Sequence, residues 1–354
     1  MDRRQIMNIT EMDNINQELL NMIQKDFPLV EQPFKEMANR LNIPEQEVID
    51  RLTALKGTVI RQISAIFDTR SLGYQSSLVA AKVREAHLDK AALIINQHPG
   101  VTHNYKRNNE FNLWFTIAVP PNSKLGLEKT VELLGKLAEV DSIRILPTLK
   151  LYKIGVQLDM TGKETKKKSE APIYNEEKRK ELQVITDQEI HAIRVLQKDL
   201  PIQSKPFEDL AKEAGVSVQQ LLEQAMMFKE KGQMRRFAAV LHHRKAGFTA
   251  NGMGVWHVPE EQVEEIGAQL ASYKAVSHCY LRPTYPDWPY NIFTMIHGRS
   301  TEEVEDILMM MEKETGIKER SVLYSTKEYK KTRVKYFTPE VEEWETKYIK
   351  EELI

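Results

Sequence analysis

The chain repeats itself, and that repeat constrains its fold more than any other feature. Asp26-Phe27-Pro28-Leu29 returns as Asp199-Leu200-Pro201-Ile202, and Pro33-Phe34 returns as Pro206-Phe207. Ala65, Arg70, Gly73 and Tyr74 meet Ala239, Arg244, Gly247 and Phe248, and His103, Tyr105 and Arg107 meet His278, Tyr280 and Arg282. Lys150 and Tyr152-Lys153 are echoed by Lys327 and Tyr329-Lys330. The offset drifts by only a few residues along the copies, so the chain is a tandem of two related units. Between them, residues 161–172 are polar and charged without an apolar period and read as a linker.

Each copy opens with helical spacing. Phe34, Met37, Ala38 and Leu41 fall at i, i+3, i+4 and i+7, as do Phe207, Leu210, Ala211 and Ala214. A short break follows, with Pro44 suited to a helix N1 position and Ser217 to an N-cap. A second helix then leads through Gly57 or Gly232 into a strand, the layout of a winged helix-turn-helix. In the second copy the pattern predicts a linking strand near 234–242 and strands near 251–257, 275–280, 291–297 and 320–324. Helices near 260–273 and 301–314 separate them. The fold class is α+β: a tandem of winged helix-turn-helix plus ferredoxin-like βαββαβ sheet domain. The expected division is 1–58 helix-turn-helix, 59–157 ferredoxin-like, 158–182 linker, 183–233 helix-turn-helix, 234–336 ferredoxin-like with the main site, and a tail over 337–354.

Charge then narrows the function. Lys+Arg 50 against Asp+Glu 51 leaves a net charge of −1, so no global surplus of cations points to nucleic acid or an anionic membrane. The single cysteine, Cys279, excludes an internal disulfide and a Cys-rich metal site. No apolar run approaches the ~20 residues of a membrane span, and the first residues carry no apolar signal core. The expectation is a cytoplasmic protein with no membrane partner.

Locally the balance differs. Residues 232–259 contain no Asp or Glu but include Arg235, Arg236, His242, His243, Arg244, Lys245 and His257. In 273–300 the only carboxylate is Asp287. A cationic, aromatic-rich surface on a neutral protein suits a specific polyanion. Strand alternation puts Arg236, His242 and Arg244 on one face, His278, Tyr280 and Arg282 on another, and Gly252, Gly254 and Trp256 on a third. Glycine leaves flat space, Trp256, Tyr285, Trp288 and Tyr290 offer aromatic walls, and arginine forks suit carboxylates. A flat, multiply carboxylated tetrapyrrole fits such a surface.

The same residues admit plainer readings. His242-His243 can be a solvated strand end, the 285–290 aromatics a Pro-stiffened loop on the core, and the strand cations edge protection. Met309, Met310 and Met311 read as core filling, and Cys279 as pointing to the packed face. Repetition favours the functional reading, because His-x-Tyr-x-Arg occurs in both copies. The second helices argue against DNA: Pro44–Asp50 reads PEQEVID, and 217–224 reads SVQQLLEQ without a base.

The helix-turn-helix and sheet layout resembles the Lrp/AsnC family, and within it the motifs resemble the siroheme decarboxylases, including their counterparts in heme d1 biosynthesis. IRQISAIFDTRSLGYQSSLVA (60–80) and HPGVTHNY (98–105) are similar to the first subunit of that two-subunit enzyme. MRRFAAVLHHRKAGFTANGMGVW (234–256) and SHCYLRPTYPDWPYNIFTMIHG (277–298) are similar to the second. The resemblance implies a fused pseudo-heterodimer and a carboxy-lyase of the alternative heme route. It would convert siroheme to 12,18-didecarboxysiroheme by losing two acetate carboxyls as CO2. No cofactor is required; the iron enters with the substrate, and heme is a product or feedback ligand.

On that reading His242 and His278 are the proton donors, with Tyr280 and Arg244 beside them in the catalytic group. Arg235, Arg236, Arg244 and Arg282 clamp carboxylates, and His243, Lys245, Asn251, Trp256, Tyr285 and Trp288 complete the substrate surface. One of His242, His243 or His278 is the candidate axial ligand to the substrate iron. In the first copy Asp68-Thr69 replaces His242-His243 and Gln62 replaces Arg236, so the main pocket is expected in the second. Arg61, Arg70, His103, Tyr105 and Arg107 keep a second site open. A heme- or siroheme-responsive regulator, or a tetrapyrrole carrier, is the alternative.

Overall fold

The computed structural model describes residues 13–25, 27–154, 184–241 and 250–350. Along the first copy run α1 (Asn14–Lys25), α2 (Pro33–Leu41), α3 (Glu45–Leu55), β1 (Ile60–Phe67), β2 (Gln75–Lys82), α4 (Leu88–Asn96), β3 (Val101–Arg107), β4 (Leu113–Val119), α5 (Gly126–Leu137), β5 (Ser142–Leu146) and β6 (Lys150–Ile154). The second copy repeats the order: α6 (Asp187–Leu196), α7 (Glu208–Ala214), α8 (Val218–Glu230), β7 (Met234–Leu241), β8 (Ala250–Trp256), α9 (Val263–Ala271), β9 (Val276–Leu281), β10 (Ile292–Gly298), α10 (Thr301–Thr315) and β11 (Arg320–Lys331). Helix α11 (Glu340–Lys350) follows. No helix among the described residues is long and apolar enough to cross a membrane.

The described residues divide into two compact units. One comprises Met1–Tyr74, Lys180–Arg244 and Lys335–Pro339, and the other Gln75–Arg179, Lys245–Val334 and Glu340–Ile354. The first holds both helix-turn-helix modules. Helix α2 starts on Pro33 and stops at Asn42, whose left-handed φ of 53° turns the chain. Helix α8 carries a full capping box between Ser217 and Gln220. Pro44 sits one residue ahead of its expected place, as the N-cap of α3. Strands β1 and β7 pair with each other, antiparallel, in a sheet of their own. The strands that the sequence reading grouped with the ferredoxin-like domains, from 59 and from 234, therefore lie with the helices. Phe27 packs on Phe34 and Phe237, and Phe207 packs on Phe237, so one aromatic core serves both copies.

In the second unit nine strands among the described residues follow the order β5-β2-β4-β3-β11-β8-β10-β9-β6. This is two half-sheets that exchange their last strands. After β5 pairs with β2, β6 crosses to pair with β9 of the second copy. The first part of β11 pairs with β8 and its second part with β3 of the first copy. Sequence pattern ended this strand at 324, because its continuation is charged and bears no apolar alternation. The Lys-Tyr-Lys echoes lie on the exchanged segments. Lys153 donates to the Tyr273 carbonyl just past α9 at 2.7 Å, and Lys330 donates to the Asn96 carbonyl that ends α4 at 2.9 Å. Each ammonium thus meets the negative end of a helix belonging to the other copy.

One core lies under α4 and α5 and another under α9 and α10, each on one face of its half-sheet. Cys279 is buried on that helix side, as its alternation with His278 predicts. Met311 fills the core, but Met309 is 52% exposed, so only part of the methionine run is core filling. The faces turned away from the helices meet in a third core of Ala80, Phe111, Trp114, Leu146, Met253, Val255, Trp288, Phe293 and Leu323. The 337–354 tail includes α11, whose Trp344 and Tyr348 join the first helix-side core. Its buried Glu345 accepts from the Lys124 amide at 3.0 Å, just ahead of α5, where a carboxylate suits the helix dipole.

Gly267 in α9 tests the strand exchange. A Cβ there would lie 2.3 Å from the Tyr152 ring of β6. Helix propensity alone favours Gly267→Ala by about 0.8–1.0 kcal/mol, whereas overpacking costs about 1–3 kcal/mol. We expect a lower urea midpoint for Gly267→Ala; a raised midpoint would show that β6 does not bear on α9 in this way.

Candidate active site

Strand β9 carries the second His-x-Tyr-x-Arg. Opposite Val276 and His278 lie Ile296 and Met295, so Ser277 is an extra residue in the ladder. Such a bulge turns a side chain that would otherwise alternate away. Ser277 Oγ reaches His278 Nδ1 at 2.8 Å and His297 Nε2 at 2.7 Å, and His297 Nδ1 lies 2.6 Å from Asn251 Oδ1. Asn251 and His297 are register partners on β8 and β10. Four side chains from three strands therefore form one hydrogen-bonded row. Burial holds His278 below the ordinary histidine range, and the His297 ring beside it adds to the effect. Burial lowers His297 as well.

His278 stacks on Tyr280, with ring centroids 6.1 Å apart and planes inclined by 21°. The Arg282 guanidinium lies over the same tyrosine at 4.8 Å. Arg282 is buried, and its Nη1 donates to the Leu146 carbonyl. The order is acid–base group, phenol, cation, beside the apolar Phe293 and Met295 of β10.

The first copy builds the same row with differences. Val101 and His103 face Ile117 and Thr116, so Thr102 is again a bulge residue. Its hydroxyl lies 3.1 Å from His103 Nδ1 and 2.7 Å from Thr116 Oγ1. His103 stacks on Tyr105 at 6.2 Å, and Arg107 lies over Tyr105 at 5.9 Å. By register, however, Ala118 stands in the place of His297 and Ser76 in that of Asn251. Glu328 pairs opposite Tyr105 where Leu151 faces Tyr280. Burial, with this carboxylate next, pushes Tyr105 up to about 12. An acid beside the tyrosine makes the first copy a poorer anion site.

Other expected residues fall elsewhere. Gly252, Gly254 and Trp256 face the helices and not the open side. A Cβ on Gly252 would lie 2.7 Å from Val304, and one on Gly254 2.8 Å from Leu308, so these glycines admit α10 against the sheet and leave no space for a ring. Trp256 is 0% exposed in that core and donates Nε1–H to Thr294. Trp288 is 3% exposed, in aromatic contact with Phe111, Trp114 and Tyr290. Tyr285 donates its hydroxyl to the Ile145 carbonyl at 2.6 Å. The 285–290 aromatics thus pack in the core, the plainer of the two readings. Asp287 is held by a two-pronged contact from Arg144, at 2.9 and 2.7 Å.

Arg61, Arg70, Arg235 and Arg236 are all exposed and belong to the helix-turn-helix unit. There the Ser71 amide at 2.9 Å and an ion pair from Arg235 at 2.6 Å hold the half-buried Asp68 carboxylate below its usual range despite its burial. His242, His243, Arg244 and Lys245 lie outside the described residues. His297 and Ser277 were missed by sequence reasoning. Alternation with Met295 and Phe293 could have flagged His297, but Ser277 reaches the face only through its bulge. Among the described residues no cluster of three or more His, Cys, Asp or Glu could hold a metal ion.

The comparisons agree with this architecture. The model of an AsnC-like ligand binding domain matches residues 71–153 and 245–330, and that of a siroheme decarboxylase NirDL-like HTH domain matches 16–61 and 189–235. A siroheme decarboxylase of Hydrogenobacter thermophilus is 39% identical over 334 residues, which is 94% of this chain and 98% of that protein. The siroheme decarboxylase beta subunit of Oleidesulfovibrio alaskensis is 44% identical over 156 residues, 44% of this chain and 99% of the subunit. The crystal structure of the siroheme decarboxylase NirDL in co-complex with an iron-uroporphyrin III analogue superposes with a TM-score of 0.78 at 34% identity, covering 96% of this chain and 99% of that one. Each family model matches twice, once per copy, and the chain belongs to the siroheme decarboxylase family.

Proposed function

We propose that this protein decarboxylates siroheme, removing two acetate carboxyl groups as CO2 to give 12,18-didecarboxysiroheme. The observation that carries the reading is the duplicated His-x-Tyr-x-Arg row on the open side of each half-sheet, in a chain matched nearly end to end by a siroheme decarboxylase. The related NirDL binds an iron-uroporphyrin III analogue, a ligand of the flat, polycarboxylate kind that such a row suits.

Breaking the bond to CO2 leaves an electron pair on the carbon attached to a pyrrole, and the macrocycle delocalises it. A proton must then reach that carbon to make the methyl group. His278, half-buried beside Tyr280 and Arg282, and His242 are the proposed proton donors. Tyr280 orients the reacting acetate and Arg282 supplies positive charge near it. The acid at Glu328 and the missing imidazole at Ala118 support placing the main pocket in the second copy, with His103, Tyr105 and Arg107 as a lesser site. The iron belongs to the substrate, the reaction needs no cofactor, and heme is a product or feedback ligand. The exchanged strands support a pseudo-heterodimer within one chain, and the composition supports a cytoplasmic location.

Anaerobic incubation with siroheme, followed by mass spectrometry of the tetrapyrrole, tests the reaction. We expect loss of two CO2 without added nucleotide or reductant. Siroheme that stays bound and unchanged would favour the carrier. The acids in Pro44–Asp50 support a helix-turn-helix that does not bind DNA. A gel shift should therefore show no salt-sensitive, sequence-selective complex, and such a complex would favour the regulator.

A further inference from the structure

The hydrogen-bonded row ending at His278 has a direction. An amide oxygen only accepts, so His297 Nδ1, 2.6 Å from Asn251 Oδ1, carries a hydrogen. A neutral imidazole carries one such hydrogen, which leaves His297 Nε2 as a lone pair. The Ser277 hydroxyl, 2.7 Å away, donates to it. The Met295 carbonyl is a more distant alternative for that hydroxyl, at 3.4 Å. With its hydrogen committed, Ser277 Oγ can only accept from His278 Nδ1, at 2.8 Å. His278 then holds its hydrogen on Nδ1 and turns Nε2 outward as a lone pair.

We propose that His297 and Asn251 are positioning residues that act through Ser277 to fix His278 as the Nδ1–H tautomer with its ring orientation set. A histidine free in water prefers the other tautomer, so the row selects a form that the side chain would not adopt by itself. The assignment rests on the reading of His278 as the residue that faces the substrate, and it concerns which His278 nitrogen the substrate meets: Nε2, whose lone pair takes up a proton from solvent and passes it to the carbon left by CO2, returning the ring to the Nδ1–H form. The first copy provides the contrast. Thr102 bonds to Thr116, a hydroxyl that both donates and accepts, and Ala118 replaces the second imidazole. Nothing there gives the row a direction, so His103 is not held to one tautomer.

Long-range 1H–15N spectra of the full chain, labelled on histidine nitrogen and free of tetrapyrrole, read the tautomer directly, with His278→Gln assigning the signal. We expect Nδ1–H at His278 in the native protein and in Ser277→Thr, and a shift toward Nε2–H in Ser277→Ala and in His297→Phe. With siroheme, loss of an outer hydrogen-bonding partner of this kind should lower kcat by about 10–100-fold, with little change in KM, and Ser277→Thr should restore it. Native His278 in the Nε2–H form, or a tautomer unchanged in both Ser277→Ala and His297→Phe, would overturn the proposal. Failure of the decarboxylase reading would look different, as a native chain with the expected tautomer and no turnover.

Discussion

The exchange of terminal strands between the two copies is the constraint on which the sheet unit depends. Neither half-sheet has its full set of strands from its own copy, because β6 completes the second and the end of β11 completes the first. The exchange is secured where a lysine crosses to the carbonyl end of the other copy's helix. Lys153 is only 7% exposed there, and burial lowers its proton affinity, so a close carbonyl partner is needed to offset desolvation. Two separate subunits would have to find this arrangement by association, whereas one chain holds the partners at high effective concentration.

The functional face follows from that pairing. β3 and β9 each lie next to an exchanged strand, and each carries a one-residue bulge immediately before its histidine. The bulge turns Thr102 or Ser277 toward the imidazole, and the following alternation lines up tyrosine and arginine. Duplication supplies two such faces, and divergence makes them unequal. One has His297 and Asn251, while the other has Ala118, Ser76 and an acid in Glu328.

Much of this was legible in the sequence. The repeat, the helix-turn-helix modules with the Ser217 cap, the order of strands and helices, and the shared row of His, Tyr and Arg all depend on local spacing or on self-comparison. What failed depended on which face a strand buries. Gly252, Gly254 and Trp256 share a parity, as expected, but alternation cannot tell the helix side from the open side when both are largely apolar. Trp288 and Tyr285 look like walls in the sequence, yet the Trp288 ring is buried in the core and the Tyr285 hydroxyl is bonded to a backbone carbonyl. Ser277 and His297 could not be joined from sequence, because a bulge breaks the period on which strand reading relies. The pairing of β1 with β7 was equally hidden, since it links segments far apart in the chain and leaves no local trace.

The central claim is that the second copy's row does the chemistry. Single-turnover reactions with siroheme, analysed for intact, singly and doubly decarboxylated product, would compare His278→Ala with His103→Ala most directly. The account predicts that His278→Ala leaves mostly intact siroheme while His103→Ala still yields decarboxylated product. Equal loss in the two variants, or greater loss from His103→Ala, would contradict it.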